Sequence, residues 1–143
     1  FIKEGKRHIK ENGSIYTPFG RMRHLPEINS RNNGIRAKAE RSGINHVIQG
    51  GAADFTNMSI IELVRIFREK QFESRIMLTV HDSIIIDCHK SEFEEVMKIG
   101  LDTMGSIKDW GSKKYPNLDF SWITVPIKAD ASVGPNWKDV TEL

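Results

Sequence analysis

The sequence has few of the features that mark secreted and membrane proteins. Its 143 residues include a single cysteine, Cys88, which excludes an internal disulfide and a metal site built from several thiolates. One lone thiol is typical of a reducing compartment. No apolar run approaches the roughly 20 residues that span a bilayer, and no signal-peptide pattern is present. We therefore expect a soluble, cytoplasmic protein with no membrane partner.

The charge is small on average but unevenly distributed. The formal net charge is +2, with Lys, Arg and His concentrated in residues 1–41 and acidic residues in 91–95. A basic N-terminal third suits contact with phosphates, although a solvated loop face is an ordinary alternative. The length suits one domain with a core, or a fragment of a larger protein.

The most informative stretch is residues 76–88, where two apolar runs flank the polar triplet His81-Asp82-Ser83. β-branched runs on either side of a short polar segment predict a β-hairpin with a tight turn. The second run, 84–86, does not alternate, so we expect both faces of its strand to be covered. The hairpin would hold an imidazole and a carboxylate on a rigid tip. The alternative is an Asx-turn at Asp82 and an ordinary surface histidine.

The remaining pattern predicts an α+β fold, with antiparallel strands packed on helices. In chain order we expect a helix over 1–12, short strands over 14–16 and 22–25, helices over 35–70, a helix over 90–104 with Ser91 as its N-cap, and a strand over 123–130. Gly50 and Gly51 lie inside the long helical stretch and cost roughly 2 kcal/mol relative to alanines. They predict a break, a kink, or the close approach of another backbone or of DNA.

Three polar residues of this helical stretch, Arg41, Asn45 and Gln49, are spaced at i, i+4 and i+8. In a helix they line one face within roughly 80°. A guanidinium and two amides can bind the hydrogen-bond acceptors of a nucleic-acid groove. A solvated helix face is the alternative.

Four blocks in this order resemble the C-terminal portion of a family A DNA polymerase, the family of bacterial DNA polymerase I and its phage relatives. They are G-x-x-x-T-x-x-G-R-x-R-x-L-P-x-I at 13–28, E-R-x-x-x-N-x-x-x-Q-G-x-A-A-D at 40–54, V-H-D at 80–82 and G-P-N-W at 134–137. The resemblance implies that residues 1–34 end the fingers region. It also implies that 35–143 form the second half of the palm, with its hairpin at 76–88.

The resemblance implies roles for individual residues. Asp82 would bind the catalytic Mg²⁺, two ions whose site is completed by a carboxylate outside this chain. His81, beside it, would touch the primer terminus. The other implied contacts are all to primer–template DNA. Asn45 and Gln49 would contact the minor groove and the backbone, and Arg41 would contact the DNA nearby. Arg36, earlier in the same helical stretch, would also bind the DNA.

The sequence departs from the family pattern in two respects. Ser83 follows the aspartate where the family usually has glutamate, and His-Asp-Ser also occurs in single-subunit phage RNA polymerases. No stretch resembles the first palm motif, D-Y-S-x-I-E, or the dNTP-binding fingers helix, R-x-x-x-K-x-x-x-F-x-x-x-Y-G.

We therefore expect this chain alone not to polymerise, and to need an N-terminal polymerase part or subunit. A split polymerase and a truncated sequence both fit. A phage source is plausible, which would place the protein in the host cytoplasm. The alternatives are a non-catalytic nucleic-acid-binding palm remnant and a fragment of a single-subunit RNA polymerase.

Overall fold

The computed structural model describes residues 1–143 and combines four α-helices with three separate pairs of antiparallel strands. The elements are α1 (Ile2–Asn12), β1 (Ser14–Tyr16), β2 (Met22–His24), α2 (Asn33–Glu69), β3 (Arg75–Val80), β4 (Ser83–Asp87), α3 (Phe93–Gly105), α4 (Ile107–Lys114), β5 (Ser132–Val133) and β6 (Thr141–Glu142). Short 3-10 turns cover Pro26–Asn29 and Lys90–Glu92. The mixture of helices and antiparallel strands agrees with the expected α+β class. No helix is both long and apolar enough to cross a membrane.

Contacts divide the chain into two compact units, Phe1–Asp54 and Phe55–Leu143. The division falls inside α2. The reason is that the first half of α2 contributes to the core of the first unit. That core contains Ile9, Ile15, Leu25, Ile28 and Ala39, with Ile44 and Val47 packed against it.

In the first unit, α1 ends as expected after Asn12. Gly13 has a φ of 64°, in the left-handed region, and its N–H donates to the Ile9 carbonyl at 2.8 Å. A C-terminal glycine in this conformation is a common way to end a helix. β1 and β2 then pair from Ser14↔His24 to Tyr16↔Met22.

The α2 helix continues through Gly50 and Gly51, so the break considered above does not occur. Another segment approaches closely there instead. A Cβ atom on Gly50 would lie 2.8 Å from Thr17 Cγ2, and one on Gly51 would lie 3.3 Å from Pro18 Cδ. The turn between β1 and β2 therefore packs where the helix carries no side chains.

The C-terminus of α2 forms a Schellman motif. Gln71 has a φ of 56° and donates from its N–H to the Arg68 carbonyl at 3.2 Å, while the Phe72 N–H donates to the Phe67 carbonyl at 3.0 Å. The rings of Phe67 and Phe72 meet edge to face, 5.5 Å apart. The chain thus turns sharply into the hairpin that follows.

The predicted hairpin forms from β3 and β4, with a β-bulge between Ile76 and Leu78. One face packs on Leu63 and Phe67 of α2 and Val96 of α3, through Ile76, Ile84 and Ile86. The expectation that both faces of the strand over 84–86 are covered holds only in part. Ile85, on the face turned away from α2 and α3, is half-buried, but its partner Leu78 is 43% exposed. The hairpin is also not central to a larger sheet: the two strands pair only with each other.

A polar hub at Ser74 holds the base of the hairpin. The buried Ser74 hydroxyl donates to Glu92 at 2.5 Å and accepts the His89 N–H at 2.9 Å. Glu92 also accepts the N–H groups of Glu73 and Ser74, both at 2.9 Å. These bonds lower the pKa of Glu92, with the Ser74 hydroxyl as the main cause. Both ends of the hairpin are thereby tied to the segment that leads into α3.

The segment before α3 differs from its prediction in one respect. Ser91 does not cap the helix; its hydroxyl lies 2.8 Å from His89 Nδ1, and α3 begins at Phe93. The 3-10 turn over Lys90–Glu92 separates Ser91 from the helix.

The strand predicted over 123–130 is wrong. Pro126 lies in the middle of this segment and has no N–H to donate to a ladder. The Ile123 carbonyl accepts from Lys108 Nζ at 2.6 Å instead of from a strand partner. The strands near the C-terminus are β5 and β6, which flank the predicted turn at Gly134–Trp137. In that turn Asn136 Oδ1 accepts the Lys138 N–H at 2.9 Å.

Candidate active site

The tip of the β3–β4 hairpin consists of two residues, His81 and Asp82. Val80 pairs with Ser83, so nothing else lies between the strands. His81 has a φ of 55°, in the left-handed region that few L-residues adopt. Both side chains are exposed. The hairpin therefore presents an imidazole and a carboxylate to solvent from a short and constrained turn.

Asp82 offers one hard oxygen donor but not a complete metal site. The chain contains no group of three or more His, Cys, Asp or Glu side chains placed to hold a metal ion. Asp87 lies at the far end of β4, roughly 13 Å along the strand from Ser83. Ser83 itself is exposed and provides no carboxylate. Asp82 thus fits a Mg²⁺ ion only as one ligand among others from elsewhere.

On α2 the structure places Arg41, Asn45 and Gln49 on one exposed face, as their spacing predicted. The amides of two of them are joined: Asn45 Nδ2 donates to Gln49 Oε1 at 2.8 Å. This bond uses one lone pair of the Gln49 oxygen and orients the side chain, and the Gln49 NH₂ group can donate outwards. The row therefore presents amide donors, which is what a surface of hydrogen-bond acceptors requires.

Arg36 does not belong to this row. It lies five residues before Arg41, about 140° around the helix. Its guanidinium donates to the Ser30 carbonyl at 2.9 Å and to Asn33 Oδ1, and so closes the loop at the start of α2. Arg36 is only half-buried, but its guanidinium is held in a local structural role.

Sequence reasoning assigned no role to Arg21 and Asp54, which the structure joins. Arg21 Nε donates to Asp54 Oδ1 at 2.8 Å, and Arg21 Nη2 donates to the Gly50 carbonyl at 2.9 Å. Asp54 is 8% exposed, and its Oδ2 has no hydrogen-bond partner. Both residues belong to the quoted blocks, but a separation of 33 residues gives no periodic signal.

A second ion-pair cluster lies in the other unit, around Glu62. Its carboxylate pairs with Arg65 on the same helix, at 2.6 Å, and with Lys114 of α4. These contacts, Arg65 first, lower the pKa of Glu62. Glu62 is 8% exposed, so the cluster fastens α4 to α2 at a largely buried position.

Comparison with known proteins gives the family of this chain. Residues 1–139 match the model described as DNA polymerase family A. The chain is 34% identical to DNA polymerase I of Bacillus subtilis (strain 168), over 97% of this chain and 14% of that protein. It is 36% identical to the DNA polymerase of Bacillus phage SP01, over 99% of this chain and 15% of that protein. The chain belongs to DNA polymerase family A.

A solved structure has a similar fold. It is the POL domain of Pol1 from M. smegmatis in complex with DNA primer-template and dNTP, with a TM-score of 0.69 and 32% sequence identity. The similarity covers 73% of this chain and 18% of that chain. The sequence prediction of the family is therefore confirmed, and the chain spans 14% to 15% of the length of the curated relatives above.

Proposed function

We propose that this chain is the C-terminal part of a template-directed DNA polymerase that adds deoxynucleotides to a primer 3′ end. The observation that carries the proposal is the collinear family match over residues 1–139, with Asp82 on a two-residue turn at a hairpin tip. A short turn limits the freedom of the carboxylate, and metal-dependent chemistry depends on such fixed placement. Residues 1–34 are proposed as the end of the fingers and 35–143 as the second half of the palm.

Asp82 is proposed as a ligand of two catalytic Mg²⁺ ions, completed by a carboxylate outside this chain. When bound, such ions activate the primer hydroxyl and neutralise charge on the α-phosphate and leaving pyrophosphate. Because Asp82 is the single carboxylate at the tip, we propose that this chain polymerises only with an N-terminal part. That part would also supply the helix that binds the dNTP.

The Arg41–Asn45–Gln49 row is proposed to contact primer–template DNA, with His81 at the primer terminus. Minor-groove acceptors are nearly the same for every correct base pair. The Gln49 NH₂ group, on a side chain oriented by the bond from Asn45 to its oxygen, is suited to these acceptors. Contacts of this kind test the geometry of a pair without reading its sequence. Arg36 is proposed only as an additional phosphate contact.

Primer extension with Mg²⁺ tests the proposal, using this chain alone and then together with the polypeptide encoded just upstream. We expect extension only in the mixture. Asp82→Asn should abolish incorporation in the mixture and leave duplex binding nearly intact. Asp87→Asn is the matched control, because it removes the same charge from the far end of β4. Full incorporation by the Asp82→Asn variant would exclude Asp82 as a metal ligand.

A second candidate function is a non-catalytic nucleic-acid-binding module, which the serine at position 83 favours. It predicts salt-dependent duplex binding by this chain and no Mg²⁺-dependent extension with any partner. A fragment of a single-subunit RNA polymerase would be recognised by incorporation of ribonucleotides in preference to deoxyribonucleotides.

A further inference from the structure

Arg21 connects the turn between β1 and β2 to one point on α2. Its two donors reach the Gly50 carbonyl and the Asp54 carboxylate, one helical turn apart, at 2.9 Å and 2.8 Å. The Arg21 carbonyl also lies 3.4 Å from His46 Nε2. A planar guanidinium can make both donor contacts at once, whereas an ammonium group cannot reproduce their geometry.

These contacts lie on the opposite side of α2 from the polar row. Gly50 and Asp54 are about 140° and 180° around the helix from Asn45. Arg21 therefore cannot contact a ligand bound along the row from this position. Any effect on such a ligand passes through the backbone of α2.

The helix at this point has a low intrinsic propensity to form. Gly50 and Gly51 directly follow Gln49, and each favours the unfolded chain over the helix relative to alanine. The helix nevertheless continues to Glu69. Two contacts hold the glycine segment: the Thr17–Pro18 turn packed on its surface, and the Arg21 bridge across it.

We propose that Arg21 is a positioning residue that keeps the Gly50–Gly51 segment helical and thereby fixes the direction of the Gln49 side chain. The Asn45–Gln49 bond forms only while positions 45 and 49 remain one helical turn apart. Loosening the helix at Gly50 breaks this spacing and frees the Gln49 oxygen. The donors of Gln49 then no longer point consistently towards the ligand. The effect on DNA rests on the function proposed above; the effect on the helix does not.

The first test is nuclear magnetic resonance of the 143-residue chain without DNA. In Arg21→Ala we expect hydrogen exchange at the backbone amides of 50–54 to rise about tenfold, because a bond to a charged donor is lost. The side-chain amide signals of Gln49 should move as well. Arg23→Ala removes the same charge from β2 and should leave both readouts unchanged.

The second test is a binding cycle with a primer-terminal 3-deazaguanine, in which a C–H group replaces the minor-groove N3 acceptor. We expect wild-type affinity for the duplex to fall about three- to tenfold with this base, the effect of one hydrogen bond. Gln49→Ala should bind the guanine and 3-deazaguanine duplexes with equal affinity. In Arg21→Ala the two affinities should differ by less than about twofold, and in Arg23→Ala they should differ as much as in the wild type.

Each outcome decides the proposal. If Arg21→Ala keeps the full base-dependent difference and unchanged Gln49 signals, the proposal is overturned. If wild-type protein binds no duplex, the DNA role of Gln49 fails, and the exchange measurement alone decides the positioning role. If Arg21→Ala does not fold, Arg21→Lys takes its place; intermediate exchange and discrimination support the proposal, and wild-type values for both overturn it.

Discussion

His81 occupies a backbone conformation that penalises most side chains. A φ of 55° costs most L-residues, alanine included, roughly 1 kcal/mol, whereas asparagine, aspartate and histidine adopt it more readily. We expect His81→Asn to keep the thermal stability of the wild-type chain and His81→Ala to lower it by about 1 kcal/mol. Melting curves followed by circular dichroism measure this difference.

The same pair of variants separates the backbone role of His81 from its proposed contact. Both substitutions remove the imidazole, so both should weaken binding of a primer terminus to a similar degree. Equal stability of His81→Asn and His81→Ala would argue against backbone strain at the turn. If the two variants bind a primer terminus unequally, part of the loss of binding comes from a changed turn conformation.

Glu62 gives a prediction with a definite pH dependence. Its pKa lies below the ordinary value of 4.5 because Arg65 and Lys114 hold the charged carboxylate. The stabilisation is therefore present above about pH 4.5 and disappears as the pH falls through the lowered pKa of the folded state. At pH 7, Glu62→Gln should cost about 1–2 kcal/mol, an amount reduced by the partial exposure of Arg65.

Urea unfolding at pH 7 and at a pH below the lowered pKa measures this effect. The cost of Glu62→Gln should be largest at pH 7 and small in acid. Glu69→Gln is the control, since Glu69 pairs with the same Arg65 but its side chain is 60% exposed; its cost should stay below about 0.5 kcal/mol. A cost of Glu62→Gln that does not change with pH would assign it to packing instead of charge.

At the scale of residues, sequence reasoning found those contacts that depend on short spacing. The row on α2 follows from a four-residue period, and the His81–Asp82 turn follows from apolar runs on both sides. The Arg21–Asp54 and Glu62–Lys114 pairs join residues 33 and 52 positions apart. No local pattern encodes such pairs, and only the packing of the elements brings them together.

At the scale of elements, two glycines in helices provide a matched comparison. Alanine at Gly50 gains about 1 kcal/mol of helix propensity, but its Cβ would lie 2.8 Å from Thr17 Cγ2. Overpacking of this kind costs about 1–3 kcal/mol, so we expect a net loss near 1 kcal/mol. A methyl group added at Gly100 in α3 would meet no atom within 4 Å, and Gly100→Ala should gain about 0.5–1 kcal/mol.

Denaturant unfolding of both variants measures the two effects. Thr17→Ser removes the methyl group that Gly50→Ala would strike and keeps the hydroxyl that accepts the Arg21 N–H at 3.2 Å. The double variant should therefore recover part of the loss, since the His46 ring would still lie 3.1 Å from the added methyl group. If Gly50→Ala stabilises the chain as much as Gly100→Ala, the turn does not restrict this part of α2.

The elements that sequence patterns predicted correctly are those with a clear period or a clear end signal. The α1 helix ends at Gly13, and the long helix and the hairpin fall close to their expected positions. The prediction of a strand over 123–130 was wrong because β-branched residues favour an extended backbone but do not provide a neighbouring strand to pair with. A strand needs a neighbour for its hydrogen bonds, and single-sequence patterns do not show whether one is present.

At the scale of the whole molecule, the β3–β4 pair is an isolated two-stranded sheet with both outer edges unpaired. Two-stranded sheets are marginal alone, and open edges readily pair with other strands. We expect the outward-facing amides of β3 or β4 to exchange rapidly in this chain. They should become protected when the proposed N-terminal part is added.

Hydrogen exchange followed by mass spectrometry, with and without that part, measures this protection. The α3 helix serves as an internal reference, because its amides are already bonded within the helix. Unchanged exchange along both strands in an active mixture would show that the N-terminal part binds elsewhere. The apolar run of β4 is typical of a strand with both faces covered, and in this chain α2 and α3 cover only one of them.

A cysteine beside the Ser74 hub allows the exposure of the hairpin base to be followed by the rate of a chemical reaction. Cys88 is the only thiol in the chain, and its Sγ lies 3.7 Å from Ser74 Oγ, where it is half-buried. An alkylating reagent therefore modifies one known position, and its rate of reaction depends on how far the hairpin base covers that half-buried thiol. Reaction rates measured with and without DNA therefore report changes in the exposure of the hairpin base, and no label has to be introduced.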